Sequence, residues 1–219
     1  MMAQPLPFAD WPEHLRFLGR FFRSPRTIGA FTSSSKWLAR AMVAPLARPA
    51  KPVNQAHPPI TVVELGPGMG AFTRAIVEHL GPADRFLSVE VDPAFIETLR
   101  RRWPDVDCVC ASAESLPALL GARGLGPADH IVSGLPFATL PADTTRRILE
   151  AVGHTLRPGG TFTTFQYVQS YGFPPAVAFR RQMNALMRSA PSRRFVARNL
   201  PPAFALSWTN HQGDEARSH

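Results

Sequence analysis

One stretch of the sequence places an acidic side chain two residues before the first of three regularly spaced glycines, E-L-G-P-G-M-G at residues 64–70. The residues that precede it, Ile60, Val62 and Val63, are apolar and β-branched, which is typical of a strand buried on both faces. Glycines allow a sharp turn and the close approach of a ligand, and the helix predicted at 71–80 directs free N–H groups to the same place. The stretch therefore predicts a strand, a turn and a helix that together bind an adenosine-containing cofactor.

The spacing of the glycines fits two kinds of cofactor. Residues 66–71 match the dinucleotide pattern G-x-G-x-x-A, which indicates a nicotinamide or flavin cofactor. Glu64 argues against that interpretation, because a carboxylate at the strand tip repels a pyrophosphate and attracts a sulfonium or an amino group. The stretch also resembles the first motif of class I methyltransferases, which implies S-adenosyl-L-methionine as the cofactor and S-adenosyl-L-homocysteine as the product. The contacts expected here are Glu64, Leu65, Gly66, Gly68 and Gly70.

Further cofactor contacts are expected where the next two strands end. Glu90 lies 20 positions beyond Gly70 in a strand predicted at 85–91, where a carboxylate accepts hydrogen bonds from two ribose hydroxyls. Class I methyltransferases often carry an acidic residue after the third strand to hold the adenine amino group. Ser112 stands at that position, so either Ser112 or Glu114 is expected to take the role. The contacts proposed for these two strands are Glu90, Val91, Ser112, Ala113 and Glu114.

A segment upstream of the first strand is expected to lie over the cofactor. It is rich in small and hydroxyl-bearing residues, and it precedes a helix predicted at 36–43 whose start a serine can cap. The simpler interpretation is that these residues only cap the helix. The cofactor contacts proposed in this segment are Gly29, Thr32, Ser33 and Ser34.

Strands and helices alternate from residue 60 onward, which is the pattern of a parallel sheet with crossover helices. With the first motif, this predicts an α/β fold of the Rossmann-like class I methyltransferase type. Its parts are a mostly parallel seven-stranded sheet, helices on both faces and an N-terminal helical arm. The expected divisions are the arm at 1–43, a proline-rich linker at 44–59, the core at 60–209 and a flexible tail at 210–219. The later strands are expected at 161–168, after a turn at 156–160, and in a closing hairpin at 194–198 and 203–209.

The composition restricts the class of partner. The chain of 219 residues carries a formal net charge of +8, which indicates nucleic acid or an acidic membrane surface, unless the charge reflects a compositional bias towards arginine. Cys108 and Cys110 are too few for a metal site and too close for an ordinary disulfide framework, and they are interpreted as buried thiols in a reducing cytoplasm. No apolar run reaches the roughly 18 residues that span a bilayer, and the N-terminus lacks the apolar region of a secretory signal.

A helix predicted at residues 10–23 is the candidate for membrane contact. Asp10 can cap its start, and its aromatic-rich apolar face adjoins a row of arginines. This combination is typical of helices that lie in a membrane interface, although a helix that packs on the core and exposes its arginines has the same pattern. The membrane contacts proposed are Trp11, Arg16, Phe17, Arg20, Phe21 and Arg23.

Four later stretches resemble bacterial phospholipid N-methyltransferases, a family related to the rRNA adenine dimethylases. They are S-G-L-P-F at 133–137, P-G-G at 158–160, F-Q-Y at 165–167 and R-N-L-P-P-A at 198–203, and the likeness runs from about residue 15 to 209. The resemblance implies methylation of phosphatidylethanolamine to its mono- and dimethyl derivatives and possible formation of phosphatidylcholine, at an anionic membrane surface. It also implies a cytoplasmic enzyme attached peripherally to the inner face of the cell membrane, with neither nucleic acid nor a metal as partner.

The same resemblance assigns the acceptor site. In the dimethylases the fourth motif usually begins with Asn, which helps to bind adenine, and Ser133 in its place weakens base recognition. Nearby carbonyl oxygens, with Tyr167 or Gln166, are expected to accept the protons of the lipid amine and to aim its lone pair. The rings of Phe137 and Tyr167 could contact the methylated cation, or they could be ordinary core aromatics. The catalytic candidates are Tyr167, Ser133, Gly134 and Leu135, and the substrate-binding candidates are Pro136, Phe137 and Gln166. Ser133 is also expected to contact the cofactor.

Two other functions stay open at this point. One is a methyltransferase that acts on nucleic acid, as an rRNA adenine dimethylase does, or on a small soluble amine. The other is a non-catalytic membrane-binding protein that keeps the cofactor fold. Methyl transfer to liposomes, to RNA or to neither distinguishes the three.

Overall fold

The architecture is known from a computed structural model that describes residues 35–49 and 57–212. Within these residues the strands are β1 Thr61–Leu65, β2 Arg85–Glu90, β3 Asp107–Cys110, β4 Ala128–Ser133, β5 Leu156–Tyr167, β6 Ser192–Val196 and β7 Ala203–Thr209. They form one sheet in the order β3-β2-β1-β4-β5-β7-β6. Each of the first five strands pairs in parallel with its neighbours among them, whereas β7 runs antiparallel to both β5 and β6.

Six α-helices in the described residues connect and cover these strands. They are α1 Lys36–Met42, α2 Thr73–Val77, α3 Pro93–Arg102, α4 Leu116–Gly121, α5 Ala142–Thr155 and α6 Pro174–Met187. The helices are amphipathic or capped where the sequence indicates: Ser35 accepts the Leu38 N–H at the start of α1, and Asp92 accepts the Ala94 N–H at the start of α3.

Successive side chains of the strands face opposite sides of the sheet and pack against different helices. Val62 of β1 packs with α1 and α2, whereas Val63 packs with α4, α5 and α6. Leu99 of α3 packs on Cys108, which lies on the same side as the α2 contacts. The predicted fold, a mostly parallel seven-stranded sheet with helices on both faces, is confirmed.

The loops that follow the parallel strands lie side by side at one edge of the sheet, which we call the carboxyl edge. The hydrogen-bond ladder continues past the strand ends: Gly66 donates to the Val89 carbonyl at 2.9 Å, and Gly134 donates to the Leu65 carbonyl at 2.8 Å. Ala111 likewise donates to the Glu90 carbonyl at 2.9 Å. The residues that the sequence assigns to the cofactor after β1, β2 and β3, and those that it assigns to the acceptor after β4, are therefore neighbours.

The segment 156–160, predicted as a turn, instead lies inside β5. The pairing of β4 with β5 shifts from Ala128–Leu156 to His130–Thr161, so the extra residues form a bulge in which Gly159 has a φ of 73°. The Asn210 side chain donates to the Leu156 and Arg157 carbonyls, at 2.8 and 3.2 Å, and is 2% exposed. Asn210, assigned by the sequence to the flexible tail, thus satisfies carbonyl groups that the bulge leaves without strand partners.

Two other boundaries differ from the prediction. The closing hairpin begins at Ser192 rather than at residue 194, and its first strand ends at Val196, so Arg198 lies in the turn and not in a strand. In the segment predicted as linker, residues 44–46 form a short 3₁₀ helix whose Leu46 is buried with the α1 residues. The predicted helix at 10–23 lies outside the described residues.

Candidate active site

The glycine-rich turn after β1 is shaped by backbone angles that favour glycine. Gly66 and Gly68 have φ values of 68° and 53°. A Cβ at Gly66 would lie 2.6 Å from Leu135 Cδ2, whereas a Cβ at Gly68 would meet no atom within 4 Å. A side chain at Gly66 is therefore disfavoured by its positive φ and would displace Leu135 in the loop after β4, whereas Gly68 borders open space in which a ligand can approach the backbone.

Glu90 ties the end of β2 to this turn. Its carboxylate is 1% exposed and accepts hydrogen bonds from the N–H groups of Val91 at 2.7 Å, Asp92 at 3.0 Å and Gly68 at 3.0 Å. Burial raises its pKa from 4.5 to about 7, against the opposing effect of these hydrogen bonds. A carboxylate has about four acceptor positions, so Glu90 keeps acceptor capacity for a ribose hydroxyl. That role stays a prediction.

Glu64 is fully buried and only half satisfied. Its Oε2 accepts hydrogen bonds from the Thr73 hydroxyl at 2.7 Å and the Ser88 hydroxyl at 3.1 Å. Its Oε1 has no hydrogen-bond partner among the described residues. Burial raises the pKa of Glu64 from 4.5 to about 7, and the nearby Glu90 carboxylate acts in the same direction. A buried acceptor without a partner costs about 1–3 kcal/mol, so a cation or a donor group of a ligand would be stabilised there.

The two buried carboxyls predict how stability depends on pH. Between pH 4.5 and about 7 these two carboxyls bind more protons in the folded protein than in the unfolded chain, so their contribution to the free energy of unfolding of the ligand-free protein should fall as the pH rises. The slope is at most about 1.4 kcal/mol per pH unit for each carboxyl. Glu64→Gln should reduce the slope by about half, measured by urea unfolding between pH 5 and 8. Glu150→Gln, an exposed glutamate on α5, is the control. An unchanged slope in Glu64→Gln would contradict the assignment.

The two candidates for the adenine contact after β3, Ser112 and Glu114, differ in the partners that already engage their side chains. Glu114 forms an ion pair with Arg147 of α5, with Nε to Oε2 at 2.9 Å. The Ser112 hydroxyl accepts the Glu114 N–H at 3.3 Å and keeps a second lone pair that can accept from the adenine amino group. The arrangement favours Ser112 over Glu114, and the adenine contact itself stays a prediction. Val91 and the neighbouring Ala113 are both buried.

The S-G-L-P-F stretch packs directly on the glycine-rich turn. A Cβ at Gly134 would lie 2.6 Å from the Gly66 carbonyl oxygen, so the two backbones are in contact. Ser133 is fully buried; its hydroxyl accepts the Leu135 N–H at 3.3 Å, and its carbonyl accepts the Thr164 hydroxyl at 3.0 Å. Three of the catalytic candidates therefore border the glycine-rich turn at residues 66–70, which we call the cofactor turn.

The predicted substrate contacts do not all reach this place. Phe137 is 4% exposed, and its ring stacks on Phe179 of α6 with the centroids 4.4 Å apart, so it is a core aromatic. Both ends of the Gln166 amide are held by α6: Nε2 donates to the Ala176 carbonyl, and Oε1 accepts from Arg180 at 2.6 Å. Pro136 lies beside Phe137 in the same loop, and its carbonyl accepts the Thr139 N–H at 2.9 Å.

Tyr167 lies on the opposite face of β5 from Gln166, although the sequence predicts that both arrive at the ligand edge. Its ring meets the edge of Phe165 with the centroids 5.3 Å apart, and Phe165 contacts Phe72 in the same way at 5.8 Å. Phe72 follows the glycine-rich turn and lies against Gly134. Tyr167 is thus on the same face as the cofactor turn, and burial raises the pKa of its hydroxyl.

Several residues of the site gave no signal in the sequence. Thr73 and Ser88 hold Glu64, yet each reads as an ordinary residue of a helix or a strand. Only the strand register, which pairs Glu64 with Ser88, would have identified the second. The cofactor contacts proposed upstream, Gly29, Thr32, Ser33 and Ser34, lie outside the described residues. So do the membrane contacts Trp11, Arg16, Phe17, Arg20, Phe21 and Arg23.

Comparison with known proteins agrees with this geometry. Residues 62–160 match the family model described as Methyltransferase domain. A TehB-like SAM-dependent methyltransferase from Corynebacterium glutamicum is 15% identical, with a TM-score of 0.55 over 91% of this chain and 99% of that one. Aeropyrum pernix fibrillarin, solved with bound S-adenosyl-L-methionine, is 16% identical, with a TM-score of 0.54 over 78% of this chain and 76% of that one. These two similarities establish the fold.

Two of the relatives that are similar in sequence have names that state a substrate. The ornithine lipid N-methyltransferase of Singulisphaera acidiphila is 33% identical over 192 residues, which cover 86% of this chain and 92% of the relative. The ribosomal RNA small subunit methyltransferase A of Thiobacillus denitrificans is 39% identical over 87 residues, which cover 39% of this chain and 32% of that protein.

The fold and the site define a class I methyltransferase that depends on S-adenosyl-L-methionine. The chain belongs to the same methyltransferase family as the ornithine lipid N-methyltransferase. The residues present fit the cofactor, because the turn leaves space at Gly68, Glu64 offers an unpartnered buried oxygen, and Glu90 offers acceptor positions. The predicted cofactor and enzyme class are confirmed. In residues 35–49 and 57–212, no group of three or more His, Cys, Asp or Glu side chains could hold a metal ion.

Proposed function

We propose that this protein methylates the primary amine of a membrane lipid headgroup, and that the lipid is phosphatidylethanolamine. The observation that supports a lipid as the substrate is the similarity to the ornithine lipid N-methyltransferase, which is 33% identical and aligns over 86% of this chain. Ornithine and ethanolamine headgroups both present a primary amine at the membrane surface. Ornithine lipid is therefore the second candidate, and the choice of phosphatidylethanolamine rests on the resemblance of the S-G-L-P-F and R-N-L-P-P-A stretches.

The residues after β4 are suited to orient such an amine. S-adenosyl-L-methionine, when bound, provides an electrophilic methyl group, so the protein has to hold a neutral amine close and aligned. The Ser133 and Leu135 carbonyls already accept hydrogen bonds, from Thr164 and from the Phe137 N–H respectively. We assign to the Gly134 carbonyl a hydrogen bond from an N–H of the neutral amine, which orients the amine without taking up its proton, and the Tyr167 hydroxyl is the second acceptor. Ser133 carries a buried hydroxyl and lacks the side-chain amide that would pair with an adenine. This favours a flexible alkyl amine as the methyl acceptor.

Radiolabelled methyl transfer to separate acceptors tests the function. The acceptors are vesicles that contain phosphatidylethanolamine, vesicles that contain ornithine lipid, and ribosomal RNA, with phosphatidylcholine vesicles as the blank. Label in phosphatidylethanolamine supports the proposal as stated. Label in ornithine lipid alone would replace the lipid but keep the reaction. Label in RNA alone would overturn the lipid proposal and favour the similarity to the ribosomal RNA enzyme.

Tyr167→Phe should lower the turnover number about tenfold on the lipid substrate and leave the affinity for S-adenosyl-L-homocysteine unchanged. The reason is that the variant loses one hydrogen bond to the acceptor amine, worth about 1.4 kcal/mol, and no contact with the cofactor. The measurement combines steady-state kinetics with calorimetry. Tyr171→Phe is the matched control, since Tyr171 lies in the loop after β5 and stacks with Arg180. Equal turnover by parent and Tyr167→Phe would leave Tyr167 as a packing residue.

Within the described part of the chain, no helix has both the length and the apolar character needed to cross a membrane. Contact with the bilayer through the predicted helix at 10–23 stays a proposal, as does attachment to the inner face of the cell membrane.

A further inference from the structure

Exposed apolar side chains cluster around the carboxyl edge of the sheet. In residues 35–49 and 57–212, the large apolar side chains that are exposed are Met69, Val77, Val168, Phe173, Phe195 and Leu200. Met69 belongs to the cofactor turn, Val168 and Phe173 to the loop after β5, and Leu200 to the turn between β6 and β7. Phe195 is one residue from the end of β6 that leads into this turn. Of the whole set, only Val77 lies elsewhere, at the far end of α2.

The turn between β6 and β7 presents Leu200 from a firmly held backbone. Tyr167 and Val196 both pair with Ala203, so this turn lies at the carboxyl edge, beside Tyr167. Asn199 is 2% exposed, and its side chain accepts the Ser35 N–H at 2.8 Å and donates to the Pro201 carbonyl at 2.7 Å. Leu200 is nevertheless 81% exposed. The anchored turn therefore holds an outward leucine next to the candidate active site.

Positive charge lies beside the turn that carries Leu200. Residues 151–212, which contain β5, α6, β6 and β7, include seven arginines and neither Asp nor Glu. A groove of about 430 Å³ between α1 and β6 is lined by Trp37, Arg40, Arg194 and Arg198, among others. The guanidinium groups of Arg198 and Arg40 lie 4.8 and 5.4 Å from the centre of the Trp37 ring. The surface therefore combines cations, an indole ring and outward aliphatic side chains.

This combination fits an anionic lipid surface better than a nucleic acid. Arginines attract both kinds of partner, but an exposed leucine and valine have no hydrogen-bonding or stacking role on a base, whereas they gain free energy when they leave water for acyl chains. Tryptophan and arginine are also suited to the headgroup layer, because each has an apolar part and a polar end.

We propose that Val168, Phe173 and Leu200, with Arg40, Arg194 and Arg198, form a membrane-docking face at the carboxyl edge. The apolar side chains insert between lipid headgroups and the arginines contact anionic lipids. Because the face shares the carboxyl edge with the acceptor residues, docking brings the candidate active site to the lipid amine without removing the lipid from the bilayer. This proposal deepens the proposed function and rests on it for the identity of the substrate, but it makes a separate statement about binding.

A matched pair of double variants tests the face. Leu200→Ser with Arg198→Glu changes one apolar and one charged residue of the docking face. Val77→Ser with Arg85→Glu makes the same kinds of change at exposed residues away from it, at the end of α2 and the start of β2. The readout is flotation of the full chain with vesicles of equal parts phosphatidylethanolamine and phosphatidylglycerol. We expect the first double variant to partition at least about tenfold more weakly than the parent and the second to match the parent. Calorimetry with S-adenosyl-L-homocysteine checks that both are folded.

An activity arm separates this proposal from the proposed function. On a short-chain phosphatidylethanolamine kept below its micelle concentration, the docking-face variant should methylate as fast as the parent, while its rate on vesicles falls with its binding. If the parent methylates no lipid but binds vesicles through this face, the proposed function fails and the docking face stands.

The docking face is overturned by any of three results. The first is equal flotation of the docking-face variant and the parent. The second is a parent that is dimeric in solution and a docking-face variant that is monomeric, with equal vesicle binding, since the face would then join two copies of the chain. The third is loss of RNA binding in the variant with vesicle binding intact, which would make the partner a nucleic acid.

Discussion

Gly134→Ala should abolish measurable cofactor binding and lower the free energy of unfolding by about 1–3 kcal/mol, the usual range for an added methyl group in a packed site. The Cβ that the variant introduces would lie 2.6 Å from the Gly66 carbonyl oxygen, closer than real Cβ contacts come. The contact atom belongs to the backbone, so no side-chain rotation can relieve it. The loop after β4 and the cofactor turn must therefore move apart. This displaces both the Gly134 carbonyl and the backbone beside Gly68.

Gly126→Ala is the matched control for this variant. Gly126 precedes β4, has no positive φ, and a Cβ there would meet no atom within 4 Å. Calorimetric titration with S-adenosyl-L-homocysteine and urea unfolding should show parent-like values for Gly126→Ala. A Gly134→Ala protein that binds the cofactor like the parent would show that the two loops are not coupled, and would separate the acceptor residues from the cofactor turn.

The fold was predictable because its signals are local. The β-branched run before Glu64, the glycines and the capped α3 are each contained in a few neighbouring residues. The boundary of β7 at Ala203–Thr209 agrees with the prediction for the same reason, since a proline pair precedes it. The bulge in β5 was missed because Pro158 and Gly159 read locally as a turn. The extended conformation there depends on Asn210, 51 positions beyond Gly159, because its backbone and side chain hydrogen-bond to the backbone of the bulge.

The candidate site also contains residues that local sequence signals predicted and residues whose position depends on distant partners. Glu64, Glu90 and the glycines were identified from one motif and one spacing, and the structure brings them together. What the sequence could not give is which face a side chain takes and which partner already occupies it. Glu114 is engaged by Arg147, 33 positions away, and Gln166 by Arg180 on a helix whose place on the sheet has no local signal. Phe137 faces the core because α6 presents Phe179 to it.

Glu90→Ala should weaken the affinity for S-adenosyl-L-homocysteine by roughly 10- to 150-fold, which corresponds to about 1.5–3 kcal/mol for hydrogen bonds to a charged group. Glu90 is proposed to accept from the ribose hydroxyls, and its position supports this because it joins the end of β2 to the cofactor turn through Gly68. The variant also removes the acceptor of three backbone N–H groups, so part of any loss could come from a displaced turn.

Two comparisons separate the ribose contact from that structural effect. The first uses a cofactor analogue without the 2′ and 3′ hydroxyls. If Glu90 binds those hydroxyls, the analogue should bind the parent weakly and Glu90→Ala almost equally weakly, whereas a displaced turn would lower the affinity for both ligands by the same factor. The second uses Asp92→Ala, which removes a neighbouring carboxylate that caps α3 and should cost about 1 kcal/mol of stability with little change in affinity. Equal losses with the natural ligand and the analogue would remove Glu90 from the ribose contact and leave it as the residue that holds the turn.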